Sequence, residues 1–219
     1  MTLYLRSGLA YALHGDDVIL MDIDHDRYFA LPRRMRDAFA RVVDAGSPQD
    51  ADLQNLAPLV DQQLLQSVKA RKTYSCGTYQ HASATLPATY APITAGLYVQ
   101  AVYCRLRAAA WLHVLPLRAI VARLECSKAR ATHAGRCQND AARIAAAFNR
   151  VGNMIPMKDR CLPASLGLVT MLHHHSIPAT LVIAVRTAPF ASHCWVETDN
   201  HLVNEQFDTI SGFSPILVV

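Results

Sequence analysis

Three short runs early in the chain, residues 11–13, 18–23 and 27–31, are rich in apolar residues. His14-Gly15-Asp16-Asp17 and Asp24-His25-Asp26 supply turn chemistry between them, so the pattern predicts a three-strand meander. Pro32 then stands where a helix would begin, and Met35, Ala38, Phe39, Val42 and Val43 recur at helical spacing until Gly46 offers a stop. Residues 51–57 and 59–68 read as two more short helices divided by Pro58.

Periodicity then fades. Residues 69–92 hold Lys69-Ala70-Arg71-Lys72, Ser75, Gly77, Ser83, Pro87 and Pro92, the composition of a connection. We therefore expect a first domain over residues 1–75, a linker over 76–92 and a second domain over 93–219. Residues 93–123 mix apolar and basic positions in a way that predicts long helices broken at Pro116, and residues 139–151 predict another. The apolar stretch 97–124 is crossed by Arg105, Arg107, His113 and Arg118, a costly set for a bilayer core, so no transmembrane segment is expected.

In the last third, Cys161 precedes Leu162, Leu166, Val169 and Leu172 at helical spacing, and Pro163 suits a first turn. The helix should run to His173 or His175, before Ser176-Ile177-Pro178 ends it. Residues 179–186 form a Val- and Ile-rich run that reads as a buried strand, followed by strands over 192–198 and 201–205 that make a hairpin. Register matters here. A three-residue connection at Thr198-Asp199-Asn200 sets His193 opposite Glu205, whereas a two-residue loop at Asp199-Asn200 pairs Cys194 with Glu205 and His193 with Gln206.

The chain has 219 residues, 52% hydrophobic and 17% charged, enough for one large core or two smaller ones. The net charge of +4 is unevenly spread: residues 97–160 carry eleven Lys and Arg against three acids. Such a surface attracts anionic partners in general, yet we read it first as a solvated helix face and expect no nucleic acid. Residues 1–13 lack a signal-peptide h-region, and cysteines 76, 104, 126, 137, 161 and 194 show no Cys-x-x-Cys spacing, which together suggest a reducing, cytoplasmic setting without disulfides.

Chemistry concentrates at Cys161. At a helix start, exposed N–H groups favour a thiolate and can receive a developing oxyanion, and Lys158 and Arg160 would add to this. If the hairpin abuts that helix end, His193 takes the thiol proton and Glu205 orients the imidazole, an arrangement suited to amide cleavage through a thioester. Cys194, alternating with His193, should point away from the site. Trp195 and Glu197 share the parity of His193 and either line the cleft or pack; Arg186 either orients a substrate carboxylate or pairs with Glu197. Three consecutive helical residues, His173 to His175, diverge by about 100° each and do not make a metal site, so no metal or other cofactor is expected.

The run Val182-Ile183-Ala184-Val185-Arg186-Thr187-Ala188-Pro189-Phe190-Ala191-Ser192-His193-Cys194-Trp195-Val196-Glu197, with Asn204-Glu205 beyond it, resembles the signature of the B proteins of lasso-peptide biosynthesis. The resemblance covers roughly residues 90–219. It implies an α+β, papain/transglutaminase-like cysteine peptidase domain with Cys161 as nucleophile and His193 as base. The family's acid is usually an aspartate after Asn, and this chain departs from it with Glu205, leaving Asp208 as the reserve. Residues 1–75 resemble the small winged-helix (PqqD-like) leader-recognition element of such enzymes, which implies that a leader adds as a strand near Arg27 to Ala30, with Tyr28 and Phe29 as substrate contacts. The same resemblance implies removal of the leader from a lasso precursor peptide and a partner that closes the ring, an ATP-dependent, asparagine-synthetase-like cyclase. Acyl transfer on the same triad, or a non-catalytic precursor carrier, are the rival readings.

Overall fold

The computed structural model describes residues 3–45, 49–67, 74–75, 79–80, 82–87, 92–131, 138–154 and 161–219. The chain begins with β1 (Tyr4–Leu5), β2 (Leu9–His14), β3 (Asp17–Asp22) and β4 (Arg27–Leu31). β2, β3 and β4 form the expected antiparallel meander. A 3-10 turn over Arg33–Met35 leads into α1 (Arg36–Ala45) and then α2 (Asp50–Asp61). The break expected at 46–48 lies outside the described residues.

Pro58 does not divide a pair of helices but sits inside α2, on its exposed side, where the carbonyl that loses its N–H partner can face water. The chain beyond α2 turns into β5 (Leu65–Gln66), which pairs with β1 where continued helix was expected. Next come β6 (Tyr74–Ser75), β7 (Ala84–Thr85), α3 (Ala95–Val114), α4 (Leu117–Arg130), α5 (Gln138–Met154) and α6 (Cys161–His174). The last segment holds β8 (Thr180–Thr187), β9 (Phe190–Thr198), β10 (His201–Leu202), α7 (Phe207–Ile210) and β11 (Ser214–Val218).

Two sheets carry the fold. The first has the order β4-β3-β2-β6 and the second β11-β8-β9-β10-β7. β3 reads Val18-Ile19-Leu20-Met21 without alternation because both its faces are covered. Val18 and Leu20 pack with Met35, Phe39, Leu56 and Leu59 under α1 and α2. Ile19 and Met21 join Ala10 and Ala12 in the larger core, together with Ile183, Val185 and the apolar sides of α3 to α6. The two sheets therefore share one core, and His14 Nδ1 meets Ser214 Oγ at 3.0 Å where β2 passes β11. Of the stretch 76–92, residues 84–85 pair in parallel with β10, and Tyr79 and Ala82 pack on the outer face of the second sheet.

The helix bearing Cys161 is buried along most of its length. It approaches α3 closely because Gly167 has no side chain: a Cβ there would stand 2.9 Å from Phe148 Cζ and 3.2 Å from the carbonyl oxygen of Cys104. Among the described residues, no helix is long and apolar enough to cross a membrane.

Candidate active site

α6 starts at Cys161, as the spacing predicts, and its N-terminus lies against β9. Lys158 and Arg160 lie outside the described residues. β9 pairs along its length with β8, but β10 meets it only at Glu197 and Thr198. One edge of β9 at residues 193–194 is thus left without a strand neighbour among the described residues, and α6 fills it. The Cys161 sulfur accepts the Cys194 N–H, and Ser165, one turn further on, donates its hydroxyl to the Cys194 carbonyl at 3.0 Å.

A sulfur placed over a strand edge can reach side chains on both faces of the sheet. Cys194 is therefore not turned away from the site, contrary to the expectation from alternation: its thiol hydrogen-bonds Cys161 from the inner face, while His193 approaches from the outer one. The register of the hairpin also differs from the one that would set His193 opposite Glu205. Asp199 and Asn200 form a two-residue loop, both with positive φ of 45° and 64°, and His201 pairs with Thr198. The expected strand 201–205 ends at Leu202, and the chain leaves the ladder in bends over 203–205. Those bends carry Glu205 back to His193 without strand pairing: Oε1 lies 3.0 Å from Nε2, a close ion-pair contact rather than an aligned hydrogen bond. Asp208 is exposed on α7, so Glu205 is the acid that meets the ring.

Electrostatics follow from these contacts. Hydrogen bonds from the Cys194 thiol and from His193 hold the Cys161 thiol well below its usual range, at about 4, against the opposing effect of burial. The hydrogen bond to Cys161, and then Glu205, raise His193 to about 9. Cys194 is pushed well above the ordinary thiol value by its bond to Cys161 and by burial, so it remains a neutral donor. At neutral pH the arrangement is thiolate and imidazolium. Because Nε2 faces the carboxylate, Nδ1 is the nitrogen left for the sulfur.

Asn204, the residue before Glu205, ties the site together. Its Oδ1 accepts the Val196 N–H at 2.8 Å and its Nδ2 donates to Ser165 Oγ at 3.1 Å, tying the Glu205 segment to both β9 and α6. Ser165 carried a usable signal in the sequence, since i and i+4 share a helix face. Phe213 packs 5.5 Å from the His193 ring, and nothing in the sequence pattern singled it out.

Of the remaining candidates, Trp195 takes the packing alternative and Arg186 neither of its two. Trp195 is fully buried, so it does not line a cleft; it lies beneath His193, ring centres 6.1 Å apart, and donates to Glu197. Glu197 is also bound by Tyr79 and the Ala82 N–H, which leaves no pairing with Arg186; the Arg186 guanidinium instead stacks 5.1 Å from Phe213. Tyr28 and Phe29 point in opposite directions from β4. Phe29 joins the core under α1 and α2, whereas Tyr28 packs into the larger core, 5.8 Å from Phe190, where burial first, and then the charges of Asp26, Cys194 and Cys161, push its hydroxyl well above the ordinary tyrosine range. His173 bonds Ala179 O and Ser127, a structural role at the helix end.

A 48-residue stretch, 22% of this chain, is 46% identical to the Microcin J25-processing protein McjB of Escherichia coli, and it covers 23% of that protein. The chain thus spans under a quarter of the curated relative it matches. No solved structure matches. The family model described as the transglutaminase-like superfamily matches residues 102–218, more than half of the chain and all of the elements that meet at Cys161. The chain belongs to the transglutaminase-like superfamily.

Proposed function

We propose that this protein is a cysteine endopeptidase that removes the leader from a ribosomally made lasso-peptide precursor, with Cys161 as nucleophile, His193 as acid and base, and Glu205 as the group that orients His193. The observation that carries the reading is the meeting of one imidazole with a sulfur on one side and a carboxylate 3.0 Å away on the other. The thiolate attacks the scissile carbonyl carbon, and the oxyanion takes the free first-turn N–H groups of α6, those of Cys161 and Leu162. Collapse expels the amine with the Nδ1 proton, leaving a thioester. Water, deprotonated by His193, then releases the leader carboxylate.

The first 75 residues act on this reading as a winged-helix leader-recognition element. β4 is an outer strand of its sheet, and a groove of 610 Å³ runs beside it, walled by Arg27, Phe29 and the Gln62–Leu64 turn after α2. A strand added there gains main-chain hydrogen bonds and side-chain pockets. The freed core peptide passes to an ATP-dependent, asparagine-synthetase-like cyclase, and the reaction belongs in a reducing cytoplasm.

The superfamily also accommodates acyl transfer, so the test must separate the two. Precursor incubated with the purified protein in heavy-oxygen water should release a leader labelled at its new carboxylate. A product without label would favour transfer. Cys161→Ala should lose cleavage by a factor on the order of a thousand or more, and undiminished maturation by that variant would leave a precursor carrier as the better description.

A further inference from the structure

α3, α4 and the C-terminal half of α6 enclose a cavity of 530 Å³, separate from the contacts at Cys161 and within the size range of small-molecule sites. Among the described residues, its walls carry three guanidiniums, Arg107, Arg123 and Arg130, and no carboxylate. Among the described residues, no ion pair joins any of these three to an acid. The acid of α4, Glu125, acts on Lys128.

Trp111 holds two of the charges in place. Arg107 stacks on its ring at 4.8 Å and Arg123 at 5.6 Å, and Arg107 also meets Tyr103 at 5.4 Å. Stacking fixes a planar guanidinium while leaving its terminal N–H groups to donate. Two of the neutral donors nearby are already engaged: Ser127 bonds Leu124 O and His173, and Thr170 bonds Gly167 O. A cavity with preset cations and, among the described residues, no counter-charge calls for an acceptor with several oxygens.

We propose that this cavity binds a small multivalent oxyanion, a phosphate- or carboxylate-bearing metabolite, through Arg107, Arg123 and Arg130. Guanidinium forks match either oxyanion in bidentate fashion, and opposite charge offsets the mutual repulsion of the three cations. Part of the basic excess of residues 97–160 then has a ligand.

The intact protein should be titrated with pyrophosphate and, separately, with citrate, near physiological salt, following heat and tryptophan emission. Trp111 is the reporter, because the chain's other tryptophan, Trp195, is fully buried. Saturable one-to-one binding is expected, with the optical signal but not the heat lost in Trp111→Phe. Arg107→Gln, and independently the exposed Arg130→Gln, should each weaken binding by roughly tenfold or more. Arg118→Gln, which removes an exposed cation outside the cavity, should leave it unchanged. Unaltered alkylation of Cys161 in every variant reports an intact fold. Preference for pyrophosphate identifies a phosphate carrier and preference for citrate a carboxylate carrier; either upholds the site. Absence of saturation with both anions overturns it, as does equal weakening by Arg118→Gln or indifference to Arg107→Gln and Arg130→Gln.

Discussion

Ser165 Oγ and the Cys194 carbonyl oxygen are 3.0 Å apart, a buried hydrogen bond that locks the nucleophile's helix onto the free edge of the histidine's strand. The same hydroxyl accepts from Asn204 Nδ2 at 3.1 Å, so three segments, bearing Cys161, His193 and Glu205, are joined through one oxygen atom. Ser165 and Asn204 reach no substrate in this geometry; they position the groups that do.

Replacing Ser165 with Ala removes the joint without a large volume change. Cleavage of the precursor should fall by about 10–100-fold in kcat with KM nearly constant, since small displacements of aligned groups cost rate rather than binding. Ser165→Thr should recover part of it. Steady-state kinetics with a labelled precursor measure the split, and a loss confined to KM would sink the positioning role.

The pH dependence follows from the ion pair. Cys161, held at about 4, and His193, raised to about 9, coexist as thiolate and imidazolium between those values. Cleavage should be lost as pH falls through the lower value, where the thiolate takes up a proton, and again as pH rises through the upper one, where the acid for the leaving amine disappears. Iodoacetamide alkylation needs only the thiolate, so it should persist on the alkaline side. A single alkylation step near the ordinary thiol pKa would show that no such pair forms.

Glu205→Gln keeps the shape of the acid and removes its charge. The ring loses one of the groups that raise it, so the alkaline limb of the cleavage profile should move to lower pH, and kcat should drop on the order of 10²- to 10⁴-fold. Full activity in Glu205→Gln, measured on the same precursor, would exclude it from the triad.

A stability prediction comes from the contact of α3 with α6. Gly167→Ala would force a methyl group against the Phe148 ring and the Cys104 carbonyl, at 2.9 and 3.2 Å. Chemical denaturation should show a loss of about 1–3 kcal/mol, the usual scale of overpacking. An unchanged midpoint would mean that Phe148 moves aside at no cost.

Leader capture can be followed without mutation. Because the first sheet shares a core with the second, deleting residues 1–75 would expose Ile183 and Val185 and confuse recognition with folding. Hydrogen exchange on the intact chain avoids this: a leader peptide added as a strand should slow exchange of amides in residues 27–31, and unaltered exchange there would argue against strand addition.

Much of this was legible in sequence, for local reasons. The Cys161 helix declared itself by spacing and by Pro163, and β8 by an apolar run bounded with prolines. What escaped depended on tertiary choices. β10 stops after two residues, and no pattern in His201-Leu202-Val203-Asn204-Glu205 says so. Alternation placed Cys194 away from the site because it describes the faces of a sheet and not its edge, where the sulfur sits. Pro58 suggested a break, but an exposed proline near a helix end is tolerated when the freed carbonyl is solvated. The pairings of Tyr4 with Gln66 and of Ala84 with His201 are too short to announce themselves.

β4 sends Phe29 toward α1 and α2 and Tyr28 toward Phe190 and the cysteines, so one five-residue strand borders both the proposed leader groove and the catalytic neighbourhood. A peptide anchored along that strand would have its scissile bond set by the number of residues between anchor and sulfur. Cut-site choice would then behave like a ruler, indifferent to the side chains that flank the bond and sensitive to a single inserted or deleted residue upstream.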